Sequence, residues 1–195
     1  RMTMNLDAGA SAAGRTNHAV DVLTARLDAN THLVLEFEAQ LENTGGGGGV
    51  LTSAAFVGLT LDQVIPGSMN STDASRALFQ VLDAGNWQCV VGRSAGAVPV
   101  PVVLDGTGTK PSGPSLGSST HALYRFRIEY HGSATPIANG TPCFLFYMDG
   151  MQAAKITSPF TEGSSFVGRL IAVRSTNNTA TLRLWVGPMR LTFNR

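Results

Sequence analysis

The segment between His121 and Ile156 constrains the fold more strongly than any other part of the chain, because apolar and polar residues alternate along it. The two alternating sets are Tyr124, Phe126, Ile128 and Tyr130, and Leu123, Arg125, Arg127 and Glu129. Since successive side chains of a strand point to opposite faces, this period of two predicts a strand with one buried face. Further along, Asp149-Gly150 separates the apolar runs 144–148 and 151–156. Asp-Gly in such a position is typical of a hairpin with positive φ at both turn residues.

Short runs of this kind recur along the chain, with turn residues about every ten positions. They predict strands at residues 2–6, 19–23, 31–42, 51–61, 76–83, 87–91, 98–104, 123–130, 144–148, 151–156, 166–174, 181–186 and 189–193. Many short strands with regular turns favour two packed antiparallel sheets, whereas edge prolines and unequal strand lengths disfavour a closed barrel. We therefore predict an all-β, two-sheet antiparallel β-sandwich of about thirteen strands. We expect it to form a single domain spanning residues 1–195.

Some segments leave a choice. Residues 76–83 fit a helix or a buried strand, and we prefer the strand because a turn and the β-rich run 87–91 follow it. Prolines at 99 and 101 cannot donate to a ladder, so 98–104 is predicted to be an edge strand. Residues 7–17 are expected to form a loop. Gly45–Gly49 predict a flexible connection rather than a phosphate-binding loop, because no Gly-Lys-Ser/Thr follows them.

Charge is sparse and unevenly distributed. Only 14% of the residues are charged and the net charge is +1, so no overall field indicates a nucleic-acid partner. Residues 1–100 carry a net charge of −4 and residues 101–195 carry +5. This asymmetry predicts either complementary faces between subunits or two halves that interleave within one sandwich. We prefer interleaving, because strands distant in sequence routinely pair in sandwiches.

The two cysteines, Cys89 and Cys143, lie in apolar strand patterns and are predicted to be buried free thiols. No apolar run approaches the ~18 residues that a membrane-spanning helix requires, so we expect no membrane insertion. No signal peptide is visible, and the first residue, Arg1, suggests an N-terminus that is either cleaved or partly disordered.

No set of residues forms a convincing catalytic or metal site. Glu36 and Glu38 share a strand face, as the two carboxylates of a glycosidase could, but a solvated strand face is the preferred interpretation. His121 and His131 are about 33 Å apart along a strand. His18 and His32 have no nearby Cys or clustered acids in the sequence, which disfavours zinc. We therefore predict no catalytic residues, no metal ligands and no cofactor, and leave the ligand-binding residues unassigned.

A few further residues could contact a ligand. Asp105-Gly106-Thr107 hints at a calcium loop but lacks repeated acids, so a plain turn is preferred. Trp87, Tyr147 and Trp185 could stack on sugar rings. Each of the three also lies in an apolar strand, where burial is the commoner outcome.

Three motifs in order carry a resemblance to a known fold family: Trp87-Gln88-Cys89, then the segment 124–129, then Phe146-Tyr147-Met148-Asp149-Gly150. This order resembles concanavalin A-like lectin and glucanase jelly rolls, in particular the non-catalytic versions in bacteriophage tail fibres and capsid appendages. The resemblance covers residues 76–195 by motif and the first 75 by strand pattern. It implies a curved sandwich whose ligands lie on the concave face or on rim loops. The glucanase motif Glu-x-Asp-x-x-Glu is not matched by residues 36–42.

From this resemblance we predict a non-catalytic bacteriophage virion protein, a head or tail appendage or decoration module that acts in assembly or host-surface contact. Its expected partners are further copies of itself and other virion proteins, with a host-surface glycan as a further candidate, and its expected location is the virion. Two alternatives remain open. One is a carbohydrate-binding or glycoside-hydrolysing concanavalin A-like domain, and the other is a viral shell protein of another jelly-roll lineage.

Overall fold

The computed structural model describes residues 2–6, 15–43, 53–60, 75–82, 86–93, 100–107, 123–163, 166–175 and 182–194, and these residues form strands, turns and loops without a helix. The strands are β1 (Met2–Leu6), β2 (Arg15–Arg26), β3 (His32–Asn43), β4 (Ser53–Thr60), β5 (Arg76–Leu82), β6 (Gln88–Gly92), β7 (Val102–Val103), β8 (Tyr124–His131), β9 (Cys143–Met148), β10 (Met151–Thr157), β11 (Phe166–Ser175), β12 (Leu182–Val186) and β13 (Arg190–Asn194).

Two antiparallel sheets pack face to face. The front sheet has the order β1-β12-β3-β8-β9-β10, with β13 also paired to β3, and the back sheet has the order β2-β11-β4-β5-β6-β7. This arrangement confirms the predicted all-β, two-sheet sandwich.

The strands β12 and β13 follow each other along the same edge of β3. Val186 pairs with Ala39 and Arg190 pairs with Glu36, so three residues on one side oppose two on the other. The extra residue is a β-bulge at 187–189. If β12 and β13 are taken as one bulged strand and the two-residue β7 is set aside, about eleven substantial strands remain, fewer than the thirteen predicted.

The core lies between the sheets and is centred on aromatic rings. The ring centroid of Phe79, from β5 of the back sheet, lies 4.6 Å from that of Phe126 and 5.3 Å from that of Phe146, both in the front sheet. The Trp87 ring lies 5.1 Å from that of Phe126. Each such pair contributes about 1 kcal/mol beyond the area that it buries. These contacts hold the middle of β8 firmly against the back sheet.

The alternation predicted for β8 and the following hairpin is confirmed. Phe126, Ile128 and Tyr130 face the core and are buried, while Arg125 and Arg127 point outward. The β9–β10 turn has φ values of 50° at Asp149 and 81° at Gly150. Positive φ at both central residues is the conformation for which an Asp-Gly turn is suited.

Most other predicted elements are also confirmed. Residues 76–82 form a strand rather than a helix, and β7, next to the prolines, is the edge of the back sheet. The loop predicted for 7–17 is wrong at its end, because β2 begins at Arg15, where pairing with β11 continues to Ser175. The flexible connection predicted for 45–49 falls outside the described residues.

The acidic and basic halves of the chain interleave. The strand β3, from the acidic half, pairs along eight residues with β8 from the basic half, so Glu38 lies beside Arg125. This confirms the preferred interpretation of the charge asymmetry. Within the described parts of the chain, no helix has the length and apolar character needed to cross a membrane.

Candidate functional site

The outer face of the front sheet, which points away from the back sheet, carries the polar side chains that could bind a ligand. One row of residues crosses this face at right angles to the strands: Arg190, Glu36, Arg127, Tyr147 and Gln152 are paired in register from β13 to β10. Neighbouring strands lie ~4.8 Å apart, so this cross-strand row extends about 19 Å. A row of this length suits an extended ligand rather than a small one.

The row runs through an open groove. The groove has a volume of about 880 Å³, and its polar lining includes Glu36, Glu38, Arg125, Arg127, Tyr147, Asp149 and Arg190. Three acidic and three basic side chains among them make the lining polar and close to neutral. The groove therefore offers guanidinium groups as hydrogen-bond donors and carboxylates as acceptors. Such a surface suits a ligand rich in hydroxyl groups.

One end of the groove is formed by the start of β8 and the β9–β10 turn. Asp149 Oδ1 accepts a hydrogen bond of 2.9 Å from the Arg125 backbone amide, and the Asp149 amide donates to the Arg125 carbonyl at 2.8 Å. The Arg125 side chain donates to Glu38 Oε1 at 3.2 Å and is 81% exposed. An exposed pair of this kind contributes less than about 1 kcal/mol, so a ligand could displace it readily.

Arg127 lies at the centre of the groove and is held from two sides. Its Nη2 donates to Glu129 Oε1, and its guanidinium carbon lies 5.2 Å from the centroid of the Tyr147 ring, within cation–π range. The Glu129 side chain is buried whereas that of Arg127 is 44% exposed, so the buried carboxylate orients a cation that still reaches the groove.

The opposite end of the same face carries a buried polar cluster made of His32, Glu129 and His131. The two histidine rings stack at 4.4 Å between centroids, and His131 Nε2 lies 2.9 Å from Glu129 Oε2. The sequence argument that His32 has no acidic neighbour fails in the fold, because β3 pairs with β8 in register. Three potential ligand atoms lie within 4.8 Å of one another here.

The structure also places the aromatic residues, the cysteines and the Asp105 turn that the sequence singled out. Trp87 is 1% exposed in the core, so it cannot stack on a sugar, whereas Tyr147 lines the groove. Both cysteines are free and buried, as predicted. Asp105 Oδ1 accepts from the Thr107 amide at 3.0 Å, which is the expected plain turn.

Some positions remain without a role. Trp185 is partly buried on β12. His18 lies in β2 of the back sheet, whereas His32 lies in β3 of the front sheet. His121 lies outside the described residues. Glu36 and Glu38 both line the groove, as their shared strand face indicates.

Sequence reasoning missed the arginines of β8 as site residues. Arg125 and Arg127 alternate with core residues, which already placed both on one face. What the sequence did not show is the identity of the neighbouring strands, and therefore the tyrosine and the carboxylates beside these arginines.

Comparison with known proteins shows the fold. No protein-family model and no curated protein matches the chain. Among solved structures, the potassium-bound carbohydrate recognition domain of Emp46p matches with a TM-score of 0.51 at 12% identity, over 92% of this chain and 79% of that one. The endo-β-1,4-glucuronan lyase of the fungus Trichoderma reesei matches with 0.58 at 10% identity, over 97% and 79%.

A third structure, the family 7 alginate lyase A1-II′ in complex with product, matches with a TM-score of 0.56 at 9% identity, over 99% of this chain and 80% of that one. These matches contradict the prediction that the protein is not an enzyme, since two of the three structures are polysaccharide lyases. Nothing in them connects the chain with bacteriophage virion proteins. What they do establish is that the chain has the jelly-roll fold of concanavalin A-like lectins and alginate lyases.

Proposed function

We propose that this protein binds a uronate-containing polysaccharide in the groove and cleaves it by β-elimination. The observation that carries the proposal is the cross-strand row, in which Arg190, Glu36, Arg127 and Tyr147 lie side by side in one open groove. The shared fold with a carbohydrate recognition domain and two polysaccharide lyases supports it.

Binding would use the length and the arginines of the groove. A sugar polymer lying along the cross-strand row would meet Arg190 and Arg127 in succession, one on each side of Glu36 in β3. The planar guanidinium fork matches a carboxylate through two parallel hydrogen bonds. The exposed Arg125–Glu38 pair can open to hydroxyl groups, because its exposure keeps its own contribution small.

Cleavage would use Arg127 and Tyr147. In β-elimination a base removes the proton from the carbon next to the uronate carboxylate, the bond to the neighbouring sugar oxygen breaks, a carbon–carbon double bond forms, and the departing oxygen takes up a proton. Arg127, oriented by the buried Glu129, would neutralise the carboxylate and stabilise the charge that develops on it. The Tyr147 hydroxyl, from the strand on one side of Arg127, would donate the proton that the departing oxygen takes up, and the Glu36 carboxylate, in register on the other side of Arg127, would be the base that removes the proton from carbon.

Hydrolysis by Glu36 and Glu38 fits the geometry less well. A hydrolase needs one carboxyl group of its pair to donate a proton. Glu38 instead accepts from the Arg125 guanidinium at 3.2 Å, and Glu36 lies in register between Arg127 and Arg190. The arginines beside both acids can instead contact a substrate carboxylate, which favours elimination next to that carboxylate over hydrolysis.

The test is incubation with alginate, polyglucuronate, polygalacturonate and a neutral glucan, followed by ultraviolet absorbance of the new double bond. We expect absorbance to rise with at least one uronate polymer and not with the glucan. Tyr147→Phe should lower the rate at least ~100-fold, as loss of a proton-transfer group does. Arg93→Ala, at an exposed arginine after β6 of the back sheet, is the matched control and should leave the rate unchanged.

Two outcomes would contradict the proposal. If no uronate polymer is bound in affinity electrophoresis or cleaved in solution, the function is wrong. If Tyr147→Phe cleaves as fast as the unaltered protein, the assignment of the proton-transfer group is wrong.

Placement on a phage particle, with further copies of the chain as partners, remains a prediction from the sequence resemblance. It is compatible with the proposed activity, since an appendage that meets a host surface would present its groove to surface polysaccharide. Mass spectrometry of purified particles from the source would test it, and absence of the chain from them would contradict it.

A further inference from the structure

The cluster of His32, Glu129 and His131 lies at the end of β8 on the outer face and adjoins the groove through the bond between Glu129 and Arg127. His32 comes from β3 and the other two residues from β8. The pairing of His32 with His131 places the three side chains next to one another. One ligand atom from each residue falls within 4.8 Å of the others. Two imidazoles and one carboxylate therefore converge from two strands that are remote in sequence.

Hydrogen bonding in the cluster leaves one ring nitrogen without a partner. Glu129 Oε1 accepts from Arg127, and Glu129 Oε2 lies 2.9 Å from His131 Nε2. His32 Nε2 is buried and has no hydrogen-bond partner in the described part of the chain. A buried ring nitrogen without a partner costs about 1–3 kcal/mol, so something that accepts its lone pair would stabilise the fold.

The charge state of the histidines favours coordination. Burial lowers the pKa of His32 below 6.5, assisted by the neighbouring His131 and Arg127. Burial likewise lowers the pKa of His131, assisted by Lys155 and Arg127. Burial thus disfavours the charged form of both rings, and a neutral imidazole is the form that binds a metal ion.

We propose that His32 Nε2, His131 Nε2 and Glu129 Oε2 together bind a divalent transition-metal ion, with zinc as the preferred one. Two imidazole nitrogens with one carboxylate oxygen form a three-ligand set that zinc accepts, leaving a fourth position for water. Nitrogen ligands disfavour Ca²⁺ and Mg²⁺, which prefer oxygen. The ion takes the place of the proton between His131 Nε2 and Glu129 Oε2, and the His131 proton then resides on Nδ1.

Contacts around the cluster are consistent with such a site. Arg127 holds the other carboxylate oxygen of Glu129, which fixes the orientation of the ligand. Glu129 and His131 are 2% and 3% exposed, so both are held in place, while His32 is only partly buried and leaves an approach for the ion. This proposal does not depend on the groove acting on a polysaccharide.

The experiment is titration of zinc chloride into the full-length, tag-free protein after treatment with a chelator, followed by calorimetry and thermal unfolding. We expect one equivalent of zinc to bind with micromolar or tighter affinity and to raise the unfolding temperature. Replacement of zinc by Co²⁺ should give the visible absorption of a four-coordinate site. Magnesium and calcium should produce no comparable heat.

Variants distinguish this site from binding elsewhere. His32→Gln, which retains a polar group, and His131→Ala should each weaken zinc binding at least 10-fold, while circular dichroism reports whether they are folded. His18→Ala, in the back sheet, is the matched control and should bind as the unaltered protein does. No zinc binding by the unaltered protein, or equal affinity in all folded variants, would overturn the proposal.

Discussion

The two halves of the outer face of β8 differ sharply although they belong to one strand. Arg125 and Arg127 are exposed and line the groove, whereas Glu129 and His131 are 2% and 3% exposed. All four side chains point in the same direction, so strand alternation does not account for the difference. The neighbours do: His32 stacks on His131, and Arg127 bonds to Glu129. Burial on one face is therefore decided by side chains contributed from other strands.

The largest expected effect is on stability, when a Glu→Gln substitution in the buried half of the outer face is compared with one in the exposed half. Glu129→Gln removes a buried charge that both Arg127 and His131 contact, so it should lower the free energy of unfolding by about 3 kcal/mol. Glu38→Gln removes an exposed pair and should cost less than about 1 kcal/mol. Urea unfolding of the two variants at pH 7 measures both, and equal losses would remove the distinction between the halves.

A smaller effect is expected at the loop that follows the buried half. The Gly132 amide donates to the Thr31 carbonyl at 2.9 Å, and a Cβ placed on Gly132 would lie 2.2 Å from the Asp28 carbonyl oxygen. Gly132→Ala should therefore force a backbone shift that costs about 2 kcal/mol. Ala134→Ser, at an exposed position of the same loop, should change the free energy by less than about 0.5 kcal/mol. Chemical denaturation of both variants is the measurement, and an unaffected Gly132→Ala variant would show that the loop is adaptable.

The smallest effect is a pH dependence at Glu162, which lies after β10 and accepts hydrogen bonds from Ser133 of the same loop. Burial raises the pKa of Glu162, but hydrogen bonds from Ser133 and Tyr130 outweigh it, so the folded pKa lies below the ordinary value of 4.5. Its contribution to stability is thus complete above that value and is lost as the pH falls through the folded pKa. Glu162→Gln should cost about 1.5 kcal/mol at pH 7.

The pH series completes this prediction. The difference in unfolding free energy between the unaltered protein and Glu162→Gln should shrink as the pH falls below 4.5. A difference that stays constant down to acid unfolding would mean that the carboxylate charge has no part in anchoring Ser133.

Local patterns in the sequence were sufficient for much of the fold. The alternation in β8 and the Asp149-Gly150 turn depend on neighbours in the chain, and both are confirmed. The start of β2 was missed, because its first residues, Arg-Thr-Asn, carry no apolar signal and extend only through pairing with β11. A strand end that forms only because a neighbouring strand pairs with it cannot be recognised from its own residues.

The candidate site was harder to predict for the same reason. The Arg125–Glu38 bond joins residues 87 positions apart, and His32 meets His131 only through the β3–β8 register. Without that register, the sequence could give the distance between two histidines along one strand but not between histidines on different strands. The arginines were visible and their direction was predictable, whereas their tyrosine and carboxylate neighbours were not.

The single extra residue at 187–189 has a consequence for how this chain can vary. Leu184 and Val186 face the core before the bulge, and Met189 and Leu191 pack on it afterwards, so the bulge exchanges which positions of the edge point inward. Arg190 reaches the groove only because of that exchange. Without the bulge, regular alternation of the same residues would turn the guanidinium toward the aromatic interior and bring Met189 to the surface. Removal of the one extra residue would instead leave two residues opposite two and keep Arg190 facing outward, so we expect natural variants to keep either the bulge or a connection that is one residue shorter.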